Sequence, residues 1–318
     1  MQAVILAAGK GTRLAPLTNI RSKGMLPILG KPILERIIQD LASSGFRDFI
    51  LVVNPEDDEL RKYFSWMSSL DIKFQFVDQD MRLGTADALR LAAPYINEDF
   101  VLTACDNLVP SGELDRLVST WVQHPDLQAL LSLERIELED TVNTGIVTLD
   151  GDRVTGIVEK PVPEEAPSNI SSMPLYIFRR RFLDYLPKVS LSPRGEYELP
   201  DAIQMMIDDG DSVQGLFLQN RLTLTTKEDL LQINLHFLDT LAGGSRIETR
   251  KIGPRTKLEK PIFIEAGVEI GSDCRIGPGV YIEKNARIGD GVQMKSVVVL
   301  RGSDIPERVV IRNQIATN

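Results

Sequence analysis

The sequence predicts an α/β protein in two parts, a helix-covered sheet with parallel strands at its centre followed by a short parallel β-helix. Three observations carry that expectation. Short apolar runs alternate with amphipathic stretches from residue 2 to about residue 125. A six-residue repeat begins at Ile264. A glycine-marked break, AGGSR at 242–246, stands between the two patterns. Strand-helix alternation builds sheets with helices on both faces, and ligands then sit at the carboxyl ends of the strands.

In chain order, AVILAA, FILVVN, IKFQFVD and FVLTAC read as strands. ILERIIQDLASSG sets Ile33, Leu34, Ile37, Ile38 and Leu41 on one helical face and stops at Gly45. GTADALRLAA and SGELDRLVSTWV are the next helix candidates. LQALLSLERI, TGIVTLDG and DRVTGIVEK read as strands, with DGD at 150–152 as a hairpin turn. EYELPDAIQMMIDDG and KEDLLQINLHFLDTL read as helices, and KPVPEEAPSN as a surface loop. From Ile264 the chain falls into hexads, IEAGVE, IGSDCR, IGPGVY, IEKNAR, IGDGVQ and MKSVVV, with Ile or Met always first. That period marks a parallel β-helix of three hexads per coil, here two full coils flanked by partial ones. The expected domains are 1–240, a linker at 241–251, and the β-helix at 252–318.

At 318 residues with 43% hydrophobic and 25% charged content, the chain has the composition of a soluble two-domain protein. A net charge of -9 disfavours nucleic acid and anionic membranes as partners. The apolar opening is too short for a signal segment and no run reaches membrane-spanning length, so a cytoplasmic protein is expected. Cys105 and Cys274 lack metal-ligand spacing and read as small apolar fillers.

Against this acidic background the first 34 residues hold Lys10, Arg13, Arg21, Lys23 and Lys31 and no acid. VILAAGKGTRL has the form of a strand, a glycine turn and a cation. It is neither a dinucleotide fingerprint, since the third glycine is missing, nor a Walker A loop. Glycines alone would read as a tight turn with solvent-facing cations. With no acid nearby, the turn offers successive backbone N–H groups on which Arg13 and Lys23 can converge, an arrangement suited to a polyphosphate.

LAAGKGTRLAPLT…SKGMLPILGKPILE resembles the signature of the sugar-1-phosphate nucleotidyltransferases, the nucleoside-diphosphate-sugar pyrophosphorylases, in particular their thymidylyltransferase and uridylyltransferase types. The similarity covers most of residues 1–240, and the hexads resemble the left-handed β-helix that many members carry. The resemblance implies a Rossmann-like domain with a mixed central sheet and an activity of EC 2.7.7 type. It implies that the backbone around Leu6, Ala7, Ala8, Gly9, Gly11 and Thr12 cradles a nucleotide, that Arg13 grips its phosphates, and that Lys23 sits between nucleotide and sugar phosphate. DQDMRLGTADAL is similar to the base-reading segment, which places Gln79, Gly84 and Thr85 beside the nucleobase. A glutamine amide matches the edge of uracil or thymine, so UTP or dTTP is favoured. ACDN is similar to the strand end bearing a metal-binding aspartate, here Asp106, and TGIV with VEKP implies sugar-phosphate contacts from Gly145, Glu159 and Lys160. RGEYELPDAI resembles a further segment, whose Glu196 and Glu198 receive no chemical role.

The implied catalytic groups are Arg13, Lys23 and Asp106, and the implied cofactor is Mg²⁺. Two departures stand out. TLTTKEDL places Thr223 where the family presents a second metal-binding carboxylate, and a hydroxyl is a weak neutral ligand for a hard cation. SSMPLYIF has Pro174 where a glycine is common beside the sugar. Two classes stay open: an enzyme whose magnesium is held by Asp106, substrate phosphates and water, or a non-catalytic subunit that binds nucleotide or nucleotide sugar. Acyl transfer, as in bifunctional relatives, wants a base such as histidine, and none follows His236. The tail is therefore expected to be structural, and its uncapped aliphatic end, VVIRNQI, suggests a homo-oligomer.

Overall fold

The computed structural model describes residues 1–67 and 71–317 and divides the chain into two compact units. One comprises Met1–Lys10, Ser22–Gly24 and Arg36–Leu222; the other comprises Gly11–Arg21, Met25–Glu35 and Thr223–Asn318. Asn318, which closes the β-helix boundary expected from sequence, lies outside the described residues.

The first unit is built on one nine-stranded mixed sheet. Its strands are β1 (Gln2–Leu6), β2 (Asp48–Val53), β3 (Lys73–Asp78), β4 (Phe100–Ala104), β5 (Ala129–Arg135), β6 (Gly145–Asp150), β7 (Arg153–Glu159), β8 (Ile170–Phe178) and β9 (Val213–Phe217). The order is β3-β2-β1-β4-β8-β5-β9-β7-β6. β1 to β4 run parallel; the near-continuous apolar content of β1, β2 and β4 suits strands covered on both faces, whereas β3 at the sheet edge alternates exposed Lys73, Gln75 and Asp78 with Phe74, Phe76 and Val77. Helix α1 (Ile33–Ser43) buries Ile33, Leu34, Ile37, Ile38 and Leu41, the face expected from their spacing. Helices α2 (Asp58–Met67), α3 (Thr85–Ala92) and α4 (Ser111–Gln123) follow β2, β3 and β4, and α3 packs on β1 and β2. α5 (Leu199–Asp208) packs on β7. β6 and β7 form the expected hairpin around Gly151 and Asp152.

β8 has a divided edge. Its Ser171 and Ser172 pair with β6, whereas Leu175 to Phe178 pair with β4. Pro174, which lacks an N–H, stands between the two ladders, where the β5 register also shifts. The proline thus marks the switch from one partner strand to the other, and the pairing of β8 with β6 closes β8-β5-β9-β7-β6 into a circuit.

The second unit is a ladder of short parallel strands. Ile252 pairs with Ile270 and Ile270 with Ile288, while Leu258 pairs with Ile276 and Ile276 with Met294, each step being 18 residues. The next step shortens to 17: Ile288 meets Ile305, Ile282 meets Val299, and Met294 meets Ile311. The ladder position opposite Ile282 is therefore taken by Val299, the last residue of MKSVVV, rather than by Leu300 one residue on. The ladder runs from Ser245–Ile247 to Val310–Ala316. Its stacked aliphatics form one core, which includes Cys274. A Cβ on Gly271 would come within 2.7 Å of Asp290 N, so glycine there permits the close approach of the two backbone segments.

Helix α6 (Lys227–Asp239) opens on a capping box, with Thr226 accepting from Asp229 N and Asp229 accepting from Thr226 N. It packs against the closing strand Val310–Ala316. Buried Asn234 accepts from Leu29 N and donates to Pro27 O, which fixes the turn of MLPILGKP onto the helix. Gly30 N donates to the Tyr281 hydroxyl, which itself bonds Glu265. Arg21 makes a two-point ion pair with Glu283 at 2.8 and 3.1 Å. Arg21 and the Pro27–Gly30 turn are thus held by hydrogen bonds within this unit.

Candidate functional site

The parallel strands bring Ala7–Gly9, Gln79 and Asp106 to one edge of the sheet. β1 ends at Leu6, β3 at Asp78 and β4 at Ala104, so Ala7–Gly9, Gln79 and Asp106 all follow carboxyl ends. The turns are pinned to neighbouring strands: Ala7 N donates to Val52 O, Cys105 N to Leu6 O, and Gln79 N to Val53 O. This is the place at which open α/β sheets bind ligands.

Lys23 and Asp106, separated by 83 residues, meet there as an ion pair through Oδ2. Both are largely buried. Beside them burial pushes the Cys105 thiol up to about 12, with the Asp106 charge adding to the shift. Cys105 is therefore an inert filler, as read from sequence. Gly9 is exposed, and a Cβ on it would meet no protein atom. Neither packing nor a left-handed backbone demands a glycine there.

Gln79 is 5% exposed, far from the ordinary surface residue it would be in isolation. Its Nε2 donates to Gly84 O at 3.2 Å and to Asp87 Oδ2 at 3.0 Å. Both amide hydrogens are thereby committed, so the group can present only its carbonyl oxygen, an acceptor. Gly84 has φ +103, and a Cβ would sit 2.4 Å from Tyr197 O. Backbone bonds from Tyr197 N to Leu83 O and from Ala86 N to Tyr197 O explain that close approach. Thr85 accepts from Leu199 N through its hydroxyl.

Gly145, Glu159 and Lys160 come together through the β6–β7 register, in which Gly145 faces Glu159. Lys160 bonds Glu159 at 3.1 Å, and a Cβ on Gly145 would lie 3.2 Å from Glu159 Oε2. Burial pushes the Glu159 carboxyl up, against the pull of Lys160. Glu198, 3% exposed, is held by Arg194 and Ser192 at the start of α5.

In the second unit, Gly11 adopts left-handed φ and accepts from Leu14 N and Thr18 Oγ1. Thr12 and Arg13 are exposed on the short turn Thr12–Leu14, anchored by buried Leu14. Arg13 has no ion-pair partner among the described residues. Thr223 closes the short strand Leu222–Thr223.

Among the described residues no three His, Cys, Asp or Glu side chains are grouped to hold a metal ion. Asp106 supplies one carboxylate with one oxygen engaged by Lys23. Such a donor set fits magnesium, which keeps waters and substrate phosphates, and does not fit an all-protein cage.

Some contacts were not evident from sequence. Arg82 Nε donates to Ala8 O at 2.7 Å and so braces the glycine turn from within DQDMRLG. Asp87, the partner of Gln79, also binds Arg90. Both lie in the segment already singled out, yet a linear pattern gives no sign of whether a side chain points to protein or ligand. No helix among the described residues is long and apolar enough to cross a membrane.

The nucleotidyl transferase family model matches residues 2–239, and the GMPPB C-terminal domain model matches residues 258–318. The bifunctional protein GlmU of Methanococcus maripaludis is 32% identical over 272 residues, covering 85% of this chain and 62% of its own length. The chain therefore spans about three fifths of that relative. The glucose-1-phosphate thymidylyltransferase of Streptomyces antibioticus is 30% identical and covers 87% of this chain and 81% of itself. The UTP--glucose-1-phosphate uridylyltransferase AglF of Haloferax volcanii is 32% identical, covering 72% of this chain and 93% of itself. A solved UDP-glucose pyrophosphorylase complexed with UDP-glucose shares the fold with TM-score 0.68 and 21% identity, over 76% of this chain and 99% of that one. The chain belongs to the nucleotidyl transferase family.

Proposed function

We propose that this protein joins a nucleoside triphosphate, UTP or dTTP by preference, to a sugar 1-phosphate, giving a nucleoside-diphosphate sugar and pyrophosphate. The observation that carries the reading is the meeting of Lys23 with Asp106 at the carboxyl edge of the parallel strands, beside a glycine turn that protein packing leaves open. The relatives' names support the same reaction class.

A phosphate oxygen of the sugar 1-phosphate attacks the α-phosphorus, and pyrophosphate leaves in line. The reactants are polyanions: each pair of like unit charges at about 4 Å costs about 4 kcal/mol at an effective dielectric near 20. Arg13, Lys23 and Lys160 offset that repulsion. Asp106 orients Lys23 and would hold Mg²⁺, which when bound neutralises phosphate charge and polarises the reacting phosphorus. No side-chain nucleophile or base is needed, because the attacking group is already an anion; positioning and fixed charge do the rest. The open carbonyl of Gln79 suits the N3–H of uracil or thymine, which share that edge. Gly145, Glu159 and Lys160 bind the sugar phosphate.

The tail is read as a left-handed parallel β-helix of hexads, supported by ladder steps of 18 and then 17 residues. Its exposed Val310 on the closing strand favours a homo-oligomer, and a monomer in sedimentation at micromolar concentration would contradict that. Pyrophosphate release across a matrix of nucleoside triphosphates and sugar 1-phosphates with Mg²⁺ tests the main proposal. Turnover with UTP or dTTP is expected; nucleotide binding with no pyrophosphate from any pair would instead mark a non-catalytic sensor.

A further inference from the structure

Arg221 lies past the end of β9, two residues before Thr223. Its side chain is only 9% exposed. Nη2 donates to Glu134 Oε2 at 2.8 Å, at the carboxyl end of β5. Nε and Nη1 are buried and have no hydrogen-bond partner. Each forked edge of the guanidinium therefore keeps an uncommitted N–H. Buried donors are almost always paired, so two on one charged group call for an explanation.

Burial works against the charge, while the Glu134 and Asp106 carboxylates favour it and Tyr176 lies close enough to act on it. An arginine keeps its proton in such a setting. The result is a fixed cation near Asp106, tethered at one corner by a carboxylate that is itself 42% exposed. A planar guanidinium with open edges matches phosphate or carboxylate oxygens. Where the family pattern presents a second carboxylate, this chain has neutral Thr223 and, two residues earlier, a buried positive charge.

We propose that Arg221 is an anion-binding residue of the substrate site, its Nε and Nη1 donating to an anionic oxygen of the sugar phosphate bound beside Asp106. The inference rests on the function proposed above. The oxygen belongs either to the phosphate itself or to a carboxylate on the sugar.

The test compares wild type, Arg221→Gln and Arg221→Lys with glucose 1-phosphate and with glucuronic acid 1-phosphate, nucleotide being saturating. KM is read from pyrophosphate release, and folding is checked by thermal unfolding. A rise in KM of tenfold or more for both sugars in Arg221→Gln supports a phosphate contact. A rise of that size for glucuronic acid 1-phosphate alone supports a carboxylate contact. Values within twofold of wild type for both sugars overturn the inference while leaving the proposed reaction intact. Should Arg221→Gln fail to fold, Arg221→Lys decides by the same thresholds, since it keeps the charge and loses the fork. A wild type inert to every pair removes the proposed reaction, and the inference falls with it.

Discussion

Replacing Glu283 by alanine strikes the most deeply buried ion pair of the second unit. The side chains of Arg21 and Glu283 are 2% and 7% exposed, and the carboxylate accepts two guanidinium bonds and the Arg301 N–H. Arg21 Nε already lacks a hydrogen-bond partner, so the guanidinium depends on Glu283. Glu283→Ala strands the guanidinium charge in the interior, and removing one partner of a buried pair costs about 3–5 kcal/mol. With a urea slope of about 3 kcal/mol per molar, the midpoint falls by about 1 M or more. The double variant Arg21→Met, Glu283→Leu removes charge and partner together and is expected to lie much closer to wild type. Because Arg21 ends the segment that carries Arg13, the single variant should also raise the nucleotide KM. A loss below about 1 kcal/mol for Glu283→Ala, or a double variant as unstable as the single, would refute the reasoning.

Other variants probe the first unit and the chemistry. Gly84→Ala forces a Cβ to 2.4 Å from Tyr197 O at φ +103; a loss of about 3 kcal/mol or more in urea unfolding is expected, and less than about 1 kcal/mol would contradict the geometry. Arg13→Ala and Asp106→Ala should each lower turnover about 10²-fold or more, the second also losing stability because Lys23 is left without its partner; near-normal rates in both would count against the assignment. Burial raises the Glu159 pKa above the usual 4.5, so the stability tied to its protonated form is full below that value and is lost as pH rises through the raised one. Glu159→Gln should therefore gain stability over wild type near pH 7 and lose that advantage as pH falls below about 4.5; parallel stability curves would contradict the burial argument.

Periodicity made local elements legible. The apolar face of α1, the Gly151 hairpin and the Ile-headed hexads follow from spacing alone. Long-range partnerships did not. Nothing linear ties Arg21 to Glu283 or Leu29 to Asn234, and nothing shows that Pro174 sits where β8 changes partner. The 17-residue step at Val299 escaped because Leu300 fits the apolar pattern equally well, and only strand pairing reveals the slip. At the site, residue order suggested Lys23, Gln79 and Asp106, but not that Gln79 spends its donors on Gly84 and Asp87. Side-chain direction decides such matters, and sequence patterns do not record it.

The central claim is that the amino-terminal glycine turn and its cations hold a triphosphate. Calorimetric titration of the protein with UTP and dTTP in Mg²⁺ tests it most directly. The account expects saturable binding of at least one, weakened tenfold or more by Arg13→Ala; no heat with either nucleotide, or equal affinity in the variant, would contradict it.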